Sequence, residues 1–154
     1  MHLHFVYLLA LLLLAATVHA ALLPERTTSR VAEIGLLYLL VGYCGVPMLA
    51  VSLWVLISPD HAAAGFGFPA GGPLLAFFGW AYLGMSLLSL LALRFRGAFL
   101  VAPAVVWAVY LGGATAVHLR ESHGRALEIL ASHGLIAALL VIALLASGAW
   151  RARA

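Results

Sequence analysis

The residues best suited to chemistry lie in residues 117–134, which read VHLRESHGRALEILASHG between two long apolar runs. His118, His123 and His133 supply neutral imidazoles, which bind zinc, copper and haem iron. Glu121 follows His118 by three residues and shares its helix face if the preceding helix continues that far. These four residues are the candidate metal ligands. His118 and His133 are also the candidate axial ligands of a haem.

The same stretch also fits a solvated connector. Its arginines and glutamates alternate in sign, as on an exposed surface, and its histidine spacing matches no strong ligand motif. No cysteine supports the set, because the single cysteine, Cys44, lies inside an apolar run where its thiol is expected to stay inert. The sequence alone leaves both interpretations open.

A second group of polar residues lies where two other apolar runs end and begin. His19 closes the first run and Glu33 opens the second. The helix dipole favours an acid in the first turn, so we expect a structural role for Glu33, paired with Arg30 or Arg96. The alternative is a proton relay between Glu33 and His19.

The residue types that are missing exclude several classes of protein. The chain has no lysine, asparagine or glutamine, and therefore no Walker phosphate loop and no Schiff-base lysine. Neither H-E-x-x-H nor G-x-S-x-G occurs, so we predict that the protein is not an enzyme. The eight basic residues are all arginines, scattered in pairs at the ends of apolar stretches, which argues against nucleic acid as a partner.

Composition identifies lipid as the main solvent of this chain. Of the 154 residues, 66% are hydrophobic and 8% are charged, and the mean hydropathy is +1.14. A helix that crosses the hydrocarbon core needs about 20 apolar residues. Charge-free intervals therefore predict an all-α polytopic transmembrane bundle of five helices in a single domain, at about 4–23, 32–58, 72–93, 97–119 and 129–150.

The arginines predict how the bundle is oriented in the membrane. Short loops rich in arginine tend to stay in the cytoplasm, and six of the eight arginines fall there if the N-terminus is outside and the C-terminus inside. No basic residue precedes the first apolar run, so we expect residues 1–20 to remain as a signal anchor instead of being cleaved. The absence of lysine, asparagine and glutamine is typical of proteins from GC-rich genomes, which points to a bacterium. We therefore expect the protein in a bacterial cytoplasmic membrane.

Small residues and prolines predict how the helices pack. Gly42 and Gly45 of the second helix and Gly79 of the third allow close approach, with hydroxyls bonding across the contact. Pro47 and Pro103 are expected to kink the second and fourth helices and to open a cavity between them. A quinone, a lipid tail or a haem fits such a cavity, with nearby aromatic residues as its lining: Phe77, Phe78, Trp80, Tyr82, Trp107 and Tyr110.

Two connections have a predictable form. The sequence LRFRGA is too short for anything but a tight hairpin, so the third and fourth helices are expected to be antiparallel neighbours. Residues 65–73, GFGFPAGGP, predict a shaped external loop that ends with Pro73 in the first turn of the third helix.

Three stretches resemble a known group of proteins. The run SPDHAAAGFGFPAGGP, the hairpin LRFRGAF and the segment YLGGATAVHLRE are similar to an uncharacterised prokaryotic family of small multi-pass membrane proteins, over about residues 31–125. A weaker similarity is to DoxX-like four-helix proteins, some of which are associated with quinone-linked redox systems. The resemblance implies a membrane bundle and assigns no activity.

These observations favour a non-catalytic membrane protein that packs, as an accessory or assembly subunit, against other membrane subunits or a second copy of itself. The rival hypothesis is a redox or transport component that binds haem, quinone or a transition metal through the outward-facing histidines or the kinked helices.

Overall fold

The computed structural model describes residues 2–66, 72–121, 127 and 130–151, with side chains except those of residues 2–5 and 121. The predicted all-α class is confirmed, since the described residues form helices joined by short turns and include no strand. The α-helices are α1 (His2–Ala21), α2 (Thr28–Tyr38), α3 (Val46–Ile57), α4 (Pro59–Phe66), α5 (Pro73–Leu90), α6 (Val101–Glu121) and α7 (Leu135–Ser147). A first π segment, Leu39–Gly45, joins α2 to α3, and a second π segment, Leu130–Gly134, leads into α7.

Long apolar helices indicate an integral membrane protein. The continuous helices Thr28–Ile57, Pro73–Leu93, Gly97–Arg120 and Leu130–Ser147 are long and apolar enough to cross a membrane. The apolar part of α1 among the described side chains, Val6–Ala21, is shorter. Each of the five predicted helices is present as a helix, close to its predicted bounds.

The second predicted helix begins four residues earlier than expected because a threonine caps it. Thr27 has an extended backbone, and its side-chain oxygen accepts a hydrogen bond from the Arg30 backbone nitrogen at 3.3 Å. This bond satisfies one of the amide groups that a helix leaves unpaired at its N-terminus. The cap brings Arg30 and Glu33 into the first two turns of α2.

The main core lies where α2 and the first π segment pack against α1, α6 and α7. Leu36, Leu40, Trp107, Ile136 and Leu140 are almost completely buried there. Two hydrogen bonds join the continuous helix Thr28–Ile57 to the antiparallel helix Leu130–Ser147. Ser29 Oγ donates to the Ser147 carbonyl, and Tyr43 Oη donates to the Ser132 carbonyl at 2.7 Å.

Glycines lie where the helices approach most closely. A Cβ added at Gly42 would lie 2.4 Å from the Leu12 side chain of α1, and one at Gly45 would lie 3.0 Å from Leu90. A Cβ at Gly79 would lie 2.9 Å from both Val55 and Leu56 of α3. These contacts place the continuous helix Thr28–Ile57 between α1 and α5.

The two prolines differ in their surroundings. Pro47 lies at the start of α3, directly after the first π segment, so the helix changes its hydrogen-bonding pattern where proline removes a donor. Pro103 lies in the first turn of α6, after a 3₁₀ turn at Gly97–Leu100. Because the 3₁₀ turn runs directly into α6, Pro103 lies inside the continuous helix Gly97–Arg120, as the sequence predicted.

The connection after α3 contains a helix that we did not predict. Directly before the expected external loop, and overlapping its first two residues, α4 packs Ala62 and Ala63 against Val55 and Leu75 in a second, smaller core. Residues 67–71 of this loop lie outside the described residues. As expected, Pro73 is in the first turn of α5, directly after Gly72.

The hairpin between α5 and α6 is tight, as predicted. The 3₁₀ turn Leu91–Leu93 ends α5, and Gly97 reverses the chain with a φ of 62°. Polar side chains then join the two antiparallel helices. The indole nitrogen of Trp107 donates to Ser89 Oγ at 2.7 Å, and the hydroxyls of Tyr82 and Tyr110 form a hydrogen bond.

Candidate functional sites

The end of α6 and the second π segment bring two of the predicted ligands together. The ring centroids of His118 and His133 are 5.7 Å apart, with an angle of 53° between the ring planes. His118 is exposed in the last turn of α6, and His133 is half-buried. Thr115, one turn before His118, packs against Gly134, where an added Cβ would lie 3.4 Å from Thr115 Cγ2. We call His118 and His133 the histidine pair.

Polar side chains hold the Ser132 backbone and the His133 ring in place. Ser132 Oγ lies 2.8 Å from His133 Nδ1, and Tyr43 donates to the Ser132 carbonyl. Such hydrogen bonds to one ring nitrogen orient the imidazole of metal-binding histidines. Tyr43 and Ser132 belong to the two π segments, and π-helical turns are frequent at functional sites.

The histidine pair supplies two nitrogen ligands. Two imidazoles can ligate a haem iron axially, whereas a zinc ion needs three or four protein ligands. Among the described residues, no group of three or more histidine, cysteine, aspartate or glutamate residues could hold a metal ion. The side chain of Glu121 and all of His123, the other two predicted ligands, lie outside the described residues.

A polar pocket lies at the opposite end of the bundle. It has a volume of about 200 Å³, and we call it the arginine pocket. The end of α1, the first turns of α2 and the α5–α6 hairpin each contribute to its lining, which consists of His19, Leu23, Arg30, Glu33, Ile34, Leu37 and Arg96. The sequence had placed Glu33, His19 and both arginines near one membrane surface.

Within the arginine pocket the charged groups face a common space instead of pairing directly. Among the described residues, Glu33 forms no ion pair or hydrogen bond with Arg30 or Arg96, and none with His19. His19 Nδ1 instead lies 3.4 Å from Tyr38 Oη, and the two rings meet edge to face. The pairing of Glu33 with Arg30 or Arg96 therefore stays a prediction, with all three side chains around one pocket.

An apolar groove adjoins the arginine pocket. It has a volume of about 710 Å³ and runs along the outside of α1. His19 lines both spaces, and the rest of the groove lining is Leu11, Leu14, Ala15, Val18, Leu22 and Tyr38. This groove could not be predicted from the sequence, because α1 is apolar on almost every side and its packing face cannot be read from the pattern.

The cavity expected between Pro47 and Pro103 does not coincide with either space, since neither proline lines them. Five of the six aromatic residues expected to line it form one chain of ring contacts that runs from the surface into the core: Phe77, Phe78, Tyr82, Tyr110 and Trp107. Phe77 and Trp80 are about two-thirds exposed on the outside of α5. Trp107 is buried and contacts Tyr110, whose ring centroid lies 5.5 Å from that of Tyr82.

Comparison with known proteins gives one match. The family described as "Family of unknown function (DUF6790)" matches residues 2–153, nearly the whole chain. No curated protein and no solved structure matches the chain. The expected resemblance to an uncharacterised family is thereby confirmed, and the chain belongs to DUF6790, a family of unknown function.

Proposed function

We propose that the protein is a non-catalytic subunit that packs against another membrane protein or a second copy of itself in the cytoplasmic membrane of a bacterium. The exposed face of α5 supports this proposal. Gly84 lies at its centre with no atom within 4 Å of an added Cβ, unlike the glycines at contacts inside the bundle. Large apolar side chains of α5 and of the 3₁₀ turn that ends it flank this glycine, and we call the whole face the α5 stripe: Phe77, Trp80, Gly84, Leu87 and Leu91.

The α5 stripe has the shape that membrane helices use to associate. Lipid tails provide no hydrophobic driving force between helices, so association depends on close packing around small residues. A helix from another subunit fits against Gly84, with Trp80 and Leu87 on either side of it. The internal contacts of Gly42 and Gly79 show the same arrangement of glycine against a branched side chain.

Purification in a mild detergent tests the proposal. We expect the chain, which has a mass of 16.2 kDa, to elute as part of a larger assembly. Gly84→Leu should release the monomer, because a leucine side chain fills the space that the partner helix needs. Gly113→Leu is the matched control, since Gly113 is also exposed with no neighbour but lies on α6. A monomeric wild-type protein, or equal loss of assembly in both variants, would contradict the proposal.

A second candidate function is supported by the histidine pair. We propose, as the alternative, that His118 and His133 bind haem or a transition metal in a redox or transport component. The supporting observation is that two histidines from different helices face each other at 5.7 Å, with Ser132 at hydrogen-bonding distance from one ring.

Absorption spectroscopy and elemental analysis of the purified protein test this alternative. The expected result is a Soret band or a bound metal that disappears in His118→Ala and His133→Ala. His61→Ala is the control, because His61 is exposed on α4, outside the pair. Wild-type protein without haem or metal after expression in a haem- and metal-replete host would exclude the alternative.

A further inference from the structure

We propose that the arginine pocket and the adjoining groove together bind one anionic glycerophospholipid of the phosphatidylglycerol type. The phosphodiester lies in the pocket, and one acyl chain lies in the groove along α1. This lipid site is independent of the proposed function, because it uses neither the α5 stripe nor the histidine pair.

The charges of the pocket match a phosphodiester. Arg30 and Arg96 each carry a positive charge and Glu33 a negative one, so these three side chains leave one positive charge for a monoanionic group. Guanidinium groups bind phosphate oxygens with paired, charge-assisted hydrogen bonds. Because the arginines come from α2 and from the α5–α6 hairpin, one phosphate between them would bridge separate parts of the bundle.

Glu33 favours a headgroup that carries hydrogen-bond donors. A carboxylate cannot accept a hydrogen bond from a phosphodiester, but it can accept one from the hydroxyls of a glycerol headgroup. The pocket volume of about 200 Å³ leaves room for a phosphate with a small substituent. Basic pockets between membrane helices bind anionic headgroups in the same way.

His19 joins the two spaces where a lipid headgroup meets its tails. The side chain lines the pocket on one side and the groove on the other. Its contact with Tyr38 holds the ring at this junction. Leu22 lines the groove and Leu23 lines the pocket, so the chain itself passes from the apolar space to the polar one at this point.

The groove has the length and the surface of an acyl-chain site. From Leu22 to Leu11 the helix rises about 17 Å, close to the roughly 15 Å of hydrocarbon in one leaflet. Leu11, Leu14 and Leu22 are each more than 60% exposed, so their side chains are available to a lipid tail. The adjoining cationic pocket is what distinguishes this groove from other apolar surface that contacts bulk lipid.

Native mass spectrometry of the full-length protein tests the headgroup half of the site. We expect phosphatidylglycerol to remain bound in preference to phosphatidylcholine and phosphatidylethanolamine with the same acyl chains. Because one arginine near an anionic lipid contributes about fivefold in affinity, the double variant Arg30→Gln/Arg96→Gln should bind roughly 25-fold more weakly. Arg94→Gln is the matched control, since Arg94 belongs to the same hairpin but packs over the Phe95 ring at 5.7 Å.

A groove variant and a soluble probe test the acyl-chain half. Ala15→Phe should fill the groove and reduce lipid binding at least fivefold, whereas Leu13→Phe, on another side of α1, should not. Glycerol 3-phosphate, which has no tails, should compete only weakly. Circular dichroism confirms that each variant keeps its helicity.

Three results would overturn the proposal. The first is equal retention of phosphatidylcholine and phosphatidylglycerol by the wild-type protein. The second is an equal loss of phosphatidylglycerol in the Arg94→Gln control and the double variant. The third is competition by glycerol 3-phosphate at lipid-like affinity, which would assign the pocket to a soluble phosphate compound.

Discussion

Gly79 and Gly84 lie five residues apart on α5 and have different surroundings. An added Cβ at Gly79 would lie 2.9 Å from Val55 Cγ1, and Val55 is buried and β-branched, so it cannot turn away easily. An added Cβ at Gly84 would meet no atom within 4 Å. The same residue type therefore serves a contact inside the bundle at one position and an open surface at the other.

This difference predicts opposite effects of alanine at the two positions. Gly84→Ala should stabilise the separated monomer by up to about 1 kcal/mol, because alanine favours a helix more than glycine does. Gly79→Ala loses that gain to overpacking, which costs about 1–3 kcal/mol. Unfolding of the two variants in detergent, followed by loss of helicity, measures the difference. Equal stability would show that α3 and α5 are not packed as described.

Trp107 is expected to be the most sensitive tryptophan in the bundle. It is buried in the main core and donates a hydrogen bond to Ser89 Oγ at 2.7 Å. Trp107→Phe removes this bond and leaves unfilled space, so we expect a loss of about 1–3 kcal/mol. The same unfolding assay should show almost no change for Trp80→Phe, because Trp80 is 64% exposed. Equal effects would place Trp107 outside the core.

At the scale of helices, charge-free intervals predicted the long elements because ionised side chains cannot lie easily within the hydrocarbon core. They could not predict the start of α2, which depends on the hydroxyl of Thr27. They also missed α4, whose short apolar face packs against Val55 and Leu75 in the helices before and after it. The first π segment left no pattern, because it lies inside a long apolar run.

The candidate sites were predictable only in part, for a related reason. His118 and His133 end and begin neighbouring helices, so their similar depth followed from the span boundaries. Glu33 and Arg96 were expected at one membrane surface for the same reason. The groove along α1 depends on which side of that helix faces α2, and rotation about the helix axis cannot be read from a uniformly apolar sequence.

The hydrogen bond between the two π segments has a measurable consequence. Tyr43→Phe removes the donor to the Ser132 carbonyl, and hydrogen bonds between membrane helices contribute about 0.6 kcal/mol on average. Hydrogen exchange of the amides in Leu130–Gly134 should therefore become about threefold faster. Tyr38→Phe should leave that segment unchanged, because Tyr38 contacts His19 at the other end of the bundle. Unchanged exchange in Tyr43→Phe would show that this bond does not hold the segment.

At the scale of the whole molecule, arginines collect at one end. Arg30 and Arg96 line a single pocket, and the turn Gly97–Leu100 packs against Ala149–Arg151. The histidine pair and Arg120 lie towards the opposite end of α6. Because arginines near membrane helices tend to stay on the cytoplasmic side, this asymmetry favours one orientation of the bundle.

Thiol labelling tests the predicted orientation, with the N-terminus outside and the C-terminus inside. A membrane-impermeant maleimide added to intact cells should label His61→Cys, whereas Arg94→Cys should react only after lysis. The native Cys44 is buried, so the parent protein serves as the unlabelled control. The reverse labelling pattern would invert the topology.

The bonds from Ser29 to Ser147 and from Tyr43 to Ser132 join the same pair of antiparallel helices at two heights. The stretches between them, about 14 residues on one helix and about 15 on the other, span nearly equal lengths at about 1.5 Å per residue. A single insertion in either stretch would turn the rest of that helix by about 100° and break one bond. Length variation within the family is therefore expected in residues 22–27 and 59–72, where extra chain leaves this register intact.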